Sequence, residues 1–228
     1  MRERQSLVLA VRQSVVLPSL SPSRPVAVSP SRSSHPALPS GSDFRKISAR
    51  RMNIVYFDLE TQRTANDAGG WNKKRNMGMS VGVTYSTLNS EYRIYSEAKV
   101  DELVRELLKA DLVVGFNILN FDYQVLMGYT ILDLTHQLST LDLLTEVEST
   151  VGSKPKLENI AQSTLGVRKT GDGVEAMKWW REKRVLDIAE YCCFDVKVTR
   201  LVHEYGTLNR ELFYTDKFNR RVKIPVNW

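Results

Sequence analysis

Residues 53–60 read N-I-V-Y-F-D-L-E, an apolar run that ends in two acidic residues separated by one leucine. The run predicts a buried β-strand over residues 53–58, with Asp58 and Glu60 emerging at its carboxyl end. Because a strand presents residues i and i+2 on the same face, the two carboxylates are expected side by side. Like charges held this close are costly to desolvate, whereas a hard divalent cation takes carboxylate ligands. The stretch favours a metal site, and a strand that runs out into a polar turn is the alternative.

The rest of the pattern predicts a mixed α/β fold. Further strands are predicted at residues 79–86, 92–95 and 112–116, and helices at residues 100–110, 121–129, 157–165, 174–183 and 185–207. Residues 212–214 and 221–226 predict a closing hairpin. Three successive strands followed by strand–helix alternation predict an α/β domain, a mixed β-sheet flanked by helices, with a C-terminal β-hairpin.

The composition of the chain changes near residue 52. Residues 1–51 hold nine basic and two acidic residues, a net charge of +7, whereas the whole 228-residue chain carries +6. This Ser-, Pro- and Arg-rich tail has no core-forming period, and we expect it to be disordered. Residues 52–228 are expected to form one domain whose net charge gives no argument for nucleic-acid binding.

Three interpretations of the tail at residues 1–51 stay open. It resembles an organelle transit peptide in composition, it would serve as a basic arm on phosphates, or it is translated sequence upstream of a true start at Met52. Its apolar stretches are too short for a signal sequence or a spanning helix, so no membrane partner is expected. The adjacent Cys192 and Cys193 cannot form an ordinary structural disulfide with each other, which suits a reducing, cytoplasmic setting.

Two more acidic residues fall at matching places downstream. Asp122 lies at the start of a predicted helix just beyond the fourth strand, at the sheet edge where open α/β folds bind ligands. Tyr191 and Asp195 lie four residues apart on the last long helix and therefore share one face. Taken singly, a helix-start charge explains Asp122, and an ordinary surface contact explains the Tyr191–Asp195 pair.

Together these residues resemble the DEDDy class of 3′–5′ exonucleases, and most of all the proofreading domain of family B DNA polymerases in a stand-alone prokaryotic branch. Three motifs carry the resemblance: F-D-L-E-T at residues 57–61, G-F-N-x-x-x-F-D at residues 115–122 and Y-x-x-x-D at residues 191–195. The resemblance spans about residues 53–205 and implies a ribonuclease H-like fold.

The resemblance also implies a site and a cofactor. The implied catalytic residues are Asp58, Glu60, Asp122, Tyr191 and Asp195, of which the four acids would bind two Mg²⁺ or Mn²⁺ ions. Tyr191 would orient the attacking water, because a pKa of ~10 makes tyrosine a poor base near neutrality. Asn117, Phe121 and Thr61 are expected to contact the terminal nucleotide, although Phe121 would equally suit the core.

The expected function is phosphodiester hydrolysis at a single-stranded DNA or RNA 3′ end, with DNA replication or repair proteins as candidate partners. The alternative is a catalytically degenerate module that binds nucleic acid or a repair complex. Trp71, Trp179 and Trp180 are candidates for base stacking, and Lys73-Lys74-Arg75 for phosphate contacts, with packing and a solvated surface as the alternatives. His203 is predicted on a helix surface.

Overall fold

The computed structural model describes residues 51–167 and 173–228, so the predicted tail lies, except for Arg51, outside the described residues. The strands are β1 Ile54–Thr61, β2 Met79–Ser86, β3 Glu91–Ser96, β4 Leu112–Gly115, β5 Thr140–Asp142, β6 Glu211–Thr215 and β7 Arg221–Pro225. The helices are α1 Ala65–Ala68, α2 Val100–Leu107, α3 Asp122–Leu126, α4 Leu134–Gln137, α5 Leu143–Val151, α6 Leu157–Leu165, α7 Gly173–Arg181 and α8 Val185–Asn209. Short 3-10 segments occupy Trp71–Asn76 and Glu97–Lys99.

Five strands form one mixed sheet in the order β3-β2-β1-β4-β5. β1 pairs antiparallel with β2 and parallel with β4, and β4 pairs parallel with β5. The carboxyl ends of β1, β4 and β5 therefore share one edge of the sheet, where ligand sites of open α/β sheets form. β6 and β7 form the separate predicted hairpin. The predicted fold class is confirmed.

The central strand β1 is covered on both faces, and the two faces have different partners. Val55, Phe57 and Leu59 are at most 3% exposed and belong to the hydrophobic core that includes residues of α2 and α3. Burying each such side chain contributes roughly 1.5–3 kcal/mol. Tyr56 and Asp58 alternate with them and contact α8 on the opposite face. The period of two thus directs the acidic residues of β1 toward α8.

Two features of this sheet differ from the sequence prediction. β1 does not end at residue 58 but continues to Thr61, because Asp58 and Glu60 still pair with Val83 and Val81 of β2. β5 and the following helix α5 were not predicted at all. β5 is three residues long, which is too short to show a strand period.

The long helix α8 spans 25 residues and packs against β1 and β2. Within residues 51–167 and 173–228, no helix combines the length and the apolar composition that crossing a bilayer requires. The surface position predicted for His203 on this helix is wrong, because His203 is buried. Its Nδ1 lies 2.8 Å from the hydroxyl of Tyr56, and Trp228 stacks on its ring. These contacts fix α8 against β1.

Burial of His203 makes the stability of the domain sensitive to acid. Burial lowers the pKa of His203 to about 4, below the ordinary value of 6.5. As the pH falls from about 6.5 to about 4, the unfolded chain takes up a proton that the folded chain resists, so the free energy of unfolding falls by up to roughly 3 kcal/mol.

We therefore expect His203→Gln to remove this part of the acid destabilisation, which urea titrations between pH 4 and pH 7.5 would measure. His136→Gln, at an exposed histidine, is the matched control and should leave the pH dependence of the wild type in place. An equal pH dependence in wild type and His203→Gln would contradict the assignment.

Candidate metal centre

Three carboxylates from two elements converge at the carboxyl end of β1. Asp58 and Glu60 of β1 and Asp195 of α8 each offer one oxygen, and these oxygens all lie within 4.8 Å of one another. Two ligand oxygens on opposite sides of one Mg²⁺ lie about 4.2 Å apart, so a small side-chain adjustment would let this group hold an ion. A donor set made only of carboxylate oxygens suits Mg²⁺ or Mn²⁺.

Asp122 lies outside that group of three but is tied directly to it. Its Oδ1 accepts a hydrogen bond of 3.0 Å from the backbone N–H of Leu59, the residue between Asp58 and Glu60. The ladder from β1 to β4 covers only Ile54 to Tyr56, so this N–H lies beyond its end. The carboxylate of Asp122 takes the place of a strand partner there, because a buried backbone donor needs an acceptor.

Repulsion and burial both act on the protonation of these acids. Burial, followed by repulsion from Asp122, Asp195 and Glu60, raises the pKa of Asp58 well above its usual range. Burial raises the pKa of Asp122 to about 7, although a hydrogen bond from the backbone of Leu59 opposes the shift. A divalent cation would therefore compete with protons for this site and relieve the repulsion among its acids.

The turn that delivers Asp122 is built from the second motif. Gly115 ends β4 where a Cβ atom would lie 2.3 Å from Ile118 Cγ2, so only glycine fits there. Asn117 follows with φ of 67°, a left-handed conformation that asparagine tolerates better than most residues. The carboxylate of Asp142 accepts the backbone N–H groups of Asn117 and Leu119 at 2.7 and 3.0 Å. This acid therefore holds the turn in shape.

Tyr191 lies one helical turn before Asp195, and its ring is held by a neighbouring helix. Trp179 of α7 contacts it edge to face, with ring centroids 6.0 Å apart and an interplanar angle of 73°. The guanidinium of Arg184 lies 5.6 Å from the centroid of the Trp179 ring. Tyr191 is buried, so this packing limits the orientations open to its ring.

Cys192 makes a contact with Asp58 that the sequence did not predict. Its Sγ lies 3.3 Å from Asp58 Oδ2 and 3.4 Å from the Asp58 carbonyl oxygen. Burial and the negative charges of Asp58 and Glu60 raise the pKa of the Cys192 thiol well above its usual range. The sulfur therefore stays protonated and donates to the carboxylate, which helps to orient Asp58.

The three residues predicted to bind substrate have different surroundings. Thr61 is buried, and its hydroxyl donates to the carbonyl of Arg63 at 3.1 Å. Asn117 is half-buried in the turn described above. Phe121 is half-buried, packs on the core and faces Trp71 with ring centroids 6.4 Å apart. Their roles toward a nucleotide stay predictions.

Sequence reasoning missed Asp142, which touches no predicted motif. It is 3% exposed, ends β5 and caps α5 by accepting the N–H of Leu144 at 3.0 Å. An aspartate placed directly before the apolar pair Leu143-Leu144 is a helix-start signal that would have located it. The contact between Cys192 and Asp58 had no such signal, because 134 residues separate the two.

The comparisons with known proteins agree with this architecture. Residues 55–207 match the sequence model of the family described as RNase_H superfamily. Among solved structures, the chain is similar to the family B DNA polymerase from the hyperthermophilic archaeon Pyrobaculum calidifontis, with a TM-score of 0.53 and 16% sequence identity. The match covers 68% of this chain and 24% of the polymerase chain, so this chain spans about a quarter of the polymerase's length. At that identity the likeness shows a shared fold. No curated protein matches the chain.

The converging acids should make the domain more stable when a divalent ion is bound. An ion that binds only the folded state stabilises it by ~2.7 kcal/mol at a hundredfold excess over its Kd, which corresponds to roughly 5–10 °C in melting temperature for a domain of this size. We expect Mn²⁺ or Mg²⁺, compared with EDTA, to raise the melting temperature in calorimetric scans.

Asp58→Ala should abolish that rise, because it removes a ligand of the group. Glu190→Ala, an exposed acid on α8, is the matched control and should retain it. A rise of equal size in wild type and Asp58→Ala would show that the stabilising ion binds elsewhere.

Proposed function

The chain belongs to the ribonuclease H superfamily, and we propose that it is a metal-dependent 3′–5′ exonuclease acting on single-stranded nucleic-acid ends. The observation that carries the proposal is the convergence of Asp58, Glu60 and Asp195 within 4.8 Å, with Tyr191 one turn away from Asp195 on the same helix. A degenerate binding module would have no need to keep carboxylates this close in mutual repulsion.

Hydrolysis of a phosphodiester needs an activated water and stabilisation of negative charge. Two divalent cations held by the carboxylates would supply both. Asp58 would contribute most to holding the ions, because an oxygen of Glu60 and one of Asp195 lie within 4.8 Å of an Asp58 oxygen and the charge of Asp122 also acts on it. The thiol of Cys192 and the backbone of Leu59 hold Asp58 and Asp122 in orientation.

Tyr191 is proposed to orient the attacking water through its hydroxyl. The edge-to-face contact with Trp179 fixes the plane of the ring, so the hydroxyl would act by position and not by removing a proton. This role follows from the resemblance of residues 191–195 to the third motif of the DEDDy class.

The proposed polarity and substrate rest on the same three motifs. F-D-L-E-T, G-F-N-x-x-x-F-D and Y-x-x-x-D occur in the order of the proofreading exonucleases, and all lie within the matched residues 55–207. The fold likeness to a family B DNA polymerase supports this branch of the superfamily, and it makes a replication or repair protein a reasonable partner to test.

The deciding experiment follows single-stranded DNA and RNA of one sequence, labelled at either end, in Mg²⁺ and in Mn²⁺. A 3′–5′ exonuclease turns the 5′-labelled strand into a ladder and releases the 3′ label in the first turnover. It leaves a circular single strand intact, which an endonuclease would cut. Cutting of the circle, or release of the 5′ label first, would overturn the proposed polarity.

Removing a proposed metal ligand should abolish hydrolysis and leave the fold intact. We expect Asp58→Ala and Asp195→Asn each to lose activity on the end-labelled strand, because each variant removes a carboxylate from the cluster. Far-UV circular dichroism checks the fold. Glu190→Gln, five residues before Asp195 and exposed, should cleave like the wild type. Wild-type turnover by Asp58→Ala would rule out this site.

Tyr191→Phe should slow hydrolysis and preserve binding. The aromatic ring and its contact with Trp179 remain, and only the hydroxyl is lost. Groups that act on the reacting water contribute about 10²- to 10⁴-fold, so the single-turnover rate should fall within that range while the Kd for oligonucleotide stays constant.

Tyr205→Phe, which removes a hydroxyl from a half-buried tyrosine on the same helix, is the control for Tyr191→Phe and should keep the wild-type rate. A Tyr191→Phe protein with weaker binding and an unchanged single-turnover rate would assign the hydroxyl to substrate binding instead.

A further inference from the structure

An exposed tryptophan lies in the loop that follows the strand carrying Asp58 and Glu60. Trp71 is 67% exposed and opens the 3-10 segment Trp71–Asn76. This segment belongs to the β1–β2 loop, defined here as residues 64–76, which leaves the sheet directly after the strand that carries Asp58 and Glu60. After the carboxyl end of β1, the chain passes through the short helix α1 and reaches Trp71.

The β1–β2 loop is fixed to the sheet at both of its ends. The backbone N–H of Arg63 donates to the Met77 carbonyl at 3.1 Å, which extends the ladder between β1 and β2. Gly70, with φ of 116° and ψ of 166°, has a conformation open almost only to glycine and sets the direction in which Trp71 leaves the loop. An ordered loop that nonetheless exposes a large aromatic ring points to a surface function.

The loop is also docked on the helix that carries Asp122. Gly128 follows α3, and a Cβ atom there would lie 2.3 Å from the carbonyl oxygen of Arg75, so glycine allows the two backbones to meet. At the other end of α3, the ring of Phe121, next to Asp122, lies 6.4 Å from the ring of Trp71. One residue of this aromatic pair, Phe121, is therefore the chain neighbour of Asp122, an acid of the site.

The positive charge of the same segment favours the binding of a polyanion. Lys73, Lys74 and Arg75 follow Trp71 within the 3-10 segment, and the ion pairs formed among the described residues include neither lysine. Single-stranded nucleic acids bind such a surface, an exposed aromatic ring beside two lysines that pair with no acid of residues 51–167 and 173–228. The bases stack on the ring and the phosphates contact the cations.

The other tryptophans are less open to a ligand than Trp71. Trp179 packs against Tyr191, and Trp228 stacks on His203, while its Nε1 donates to the carbonyl of the same histidine. Trp180 is half-buried on α7. Of the three tryptophans that the sequence offered for base stacking, Trp71 is the one whose ring is mostly open to a ligand.

We propose that Trp71, together with Phe121, forms a stacking platform for an unpaired base near the 3′ end of the substrate, with Lys73 and Lys74 on the adjoining phosphates. The platform rests on the proposed exonuclease function and specifies its substrate as a strand whose bases are free to leave a duplex. A paired base has its faces covered by its neighbours and would not reach the ring.

The test measures binding apart from hydrolysis. The full chain is titrated in EDTA with a fluorescein-labelled oligothymidylate of about 15 nucleotides, and its Kd is compared for wild type, Trp71→Ala and Trp71→Phe. Base stacking on one aromatic ring contributes about 5- to 150-fold in affinity, so Trp71→Ala should raise the Kd by that factor, and Trp71→Phe should restore much of the loss. In Mn²⁺, Trp71→Ala should raise the KM and leave the kcat at saturation unchanged.

Phe218→Ala is the matched control, because Phe218 is also 67% exposed and lies between the cations of Lys217 and Arg220 on the separate hairpin. Its Kd should equal that of the wild type. A second series consists of three oligonucleotides, each with a single abasic site at one of the last three positions of the 3′ end. At the position that stacks, the base-less strand should bind wild type and Trp71→Ala equally.

The outcomes test the stacking platform separately from the proposed exonuclease function. An unchanged Kd in Trp71→Ala, or a loss of the same size on every abasic strand, overturns the platform while an active wild type leaves the exonuclease assignment in place. A wild type that neither binds nor cleaves nucleic acid overturns both.

Discussion

Electrostatic repulsion among carboxylates that stand close together is the constraint around which this domain is arranged. Asp58, Glu60 and Asp195 bring their oxygens within 4.8 Å, and Asp122 adds a fourth charge beside them. Such a cluster opposes folding in the absence of a cation, so the surrounding structure has to hold it from several directions. Three parts of the structure do this: the apolar face of β1, the turn closed by Asp142, and the helix α8.

The regular geometry of one strand and one helix brings the acids together in a single site. A strand alternates sides every residue, so β1 places its apolar residues in one layer and its acids toward α8. A helix returns to the same face every four residues, so α8 presents Tyr191 and Asp195 together. Tyr56 and His203 fix the two elements to each other farther along their length. The chemistry proposed for the centre therefore depends on packing well outside it.

Much of this arrangement could be predicted from the sequence because its signals are local. The alternation in β1 and the helix from Leu157 to Leu165, ended by Gly166 with φ of 71°, depend on neighbouring residues alone. The links between distant residues could not be predicted. His203 looked like a surface residue because its partner Tyr56 lies 147 positions earlier, and β5 was missed because its three residues carry no period. Asp142 at its end was missed with it.

The way in which the β1–β2 loop is anchored has a consequence for how relatives of this domain can diverge. The loop leaves and rejoins the sheet at a single hydrogen-bonded pair, Arg63 and Met77, so its length is uncoupled from the register of the strands. An insertion within β1 would exchange the environments of Asp58 and Leu59, whereas an insertion in the loop would leave both in place. Selection can therefore vary the surface that meets the ligand without disturbing the ionised groups below it, and new specificities can arise through changes in loop length alone.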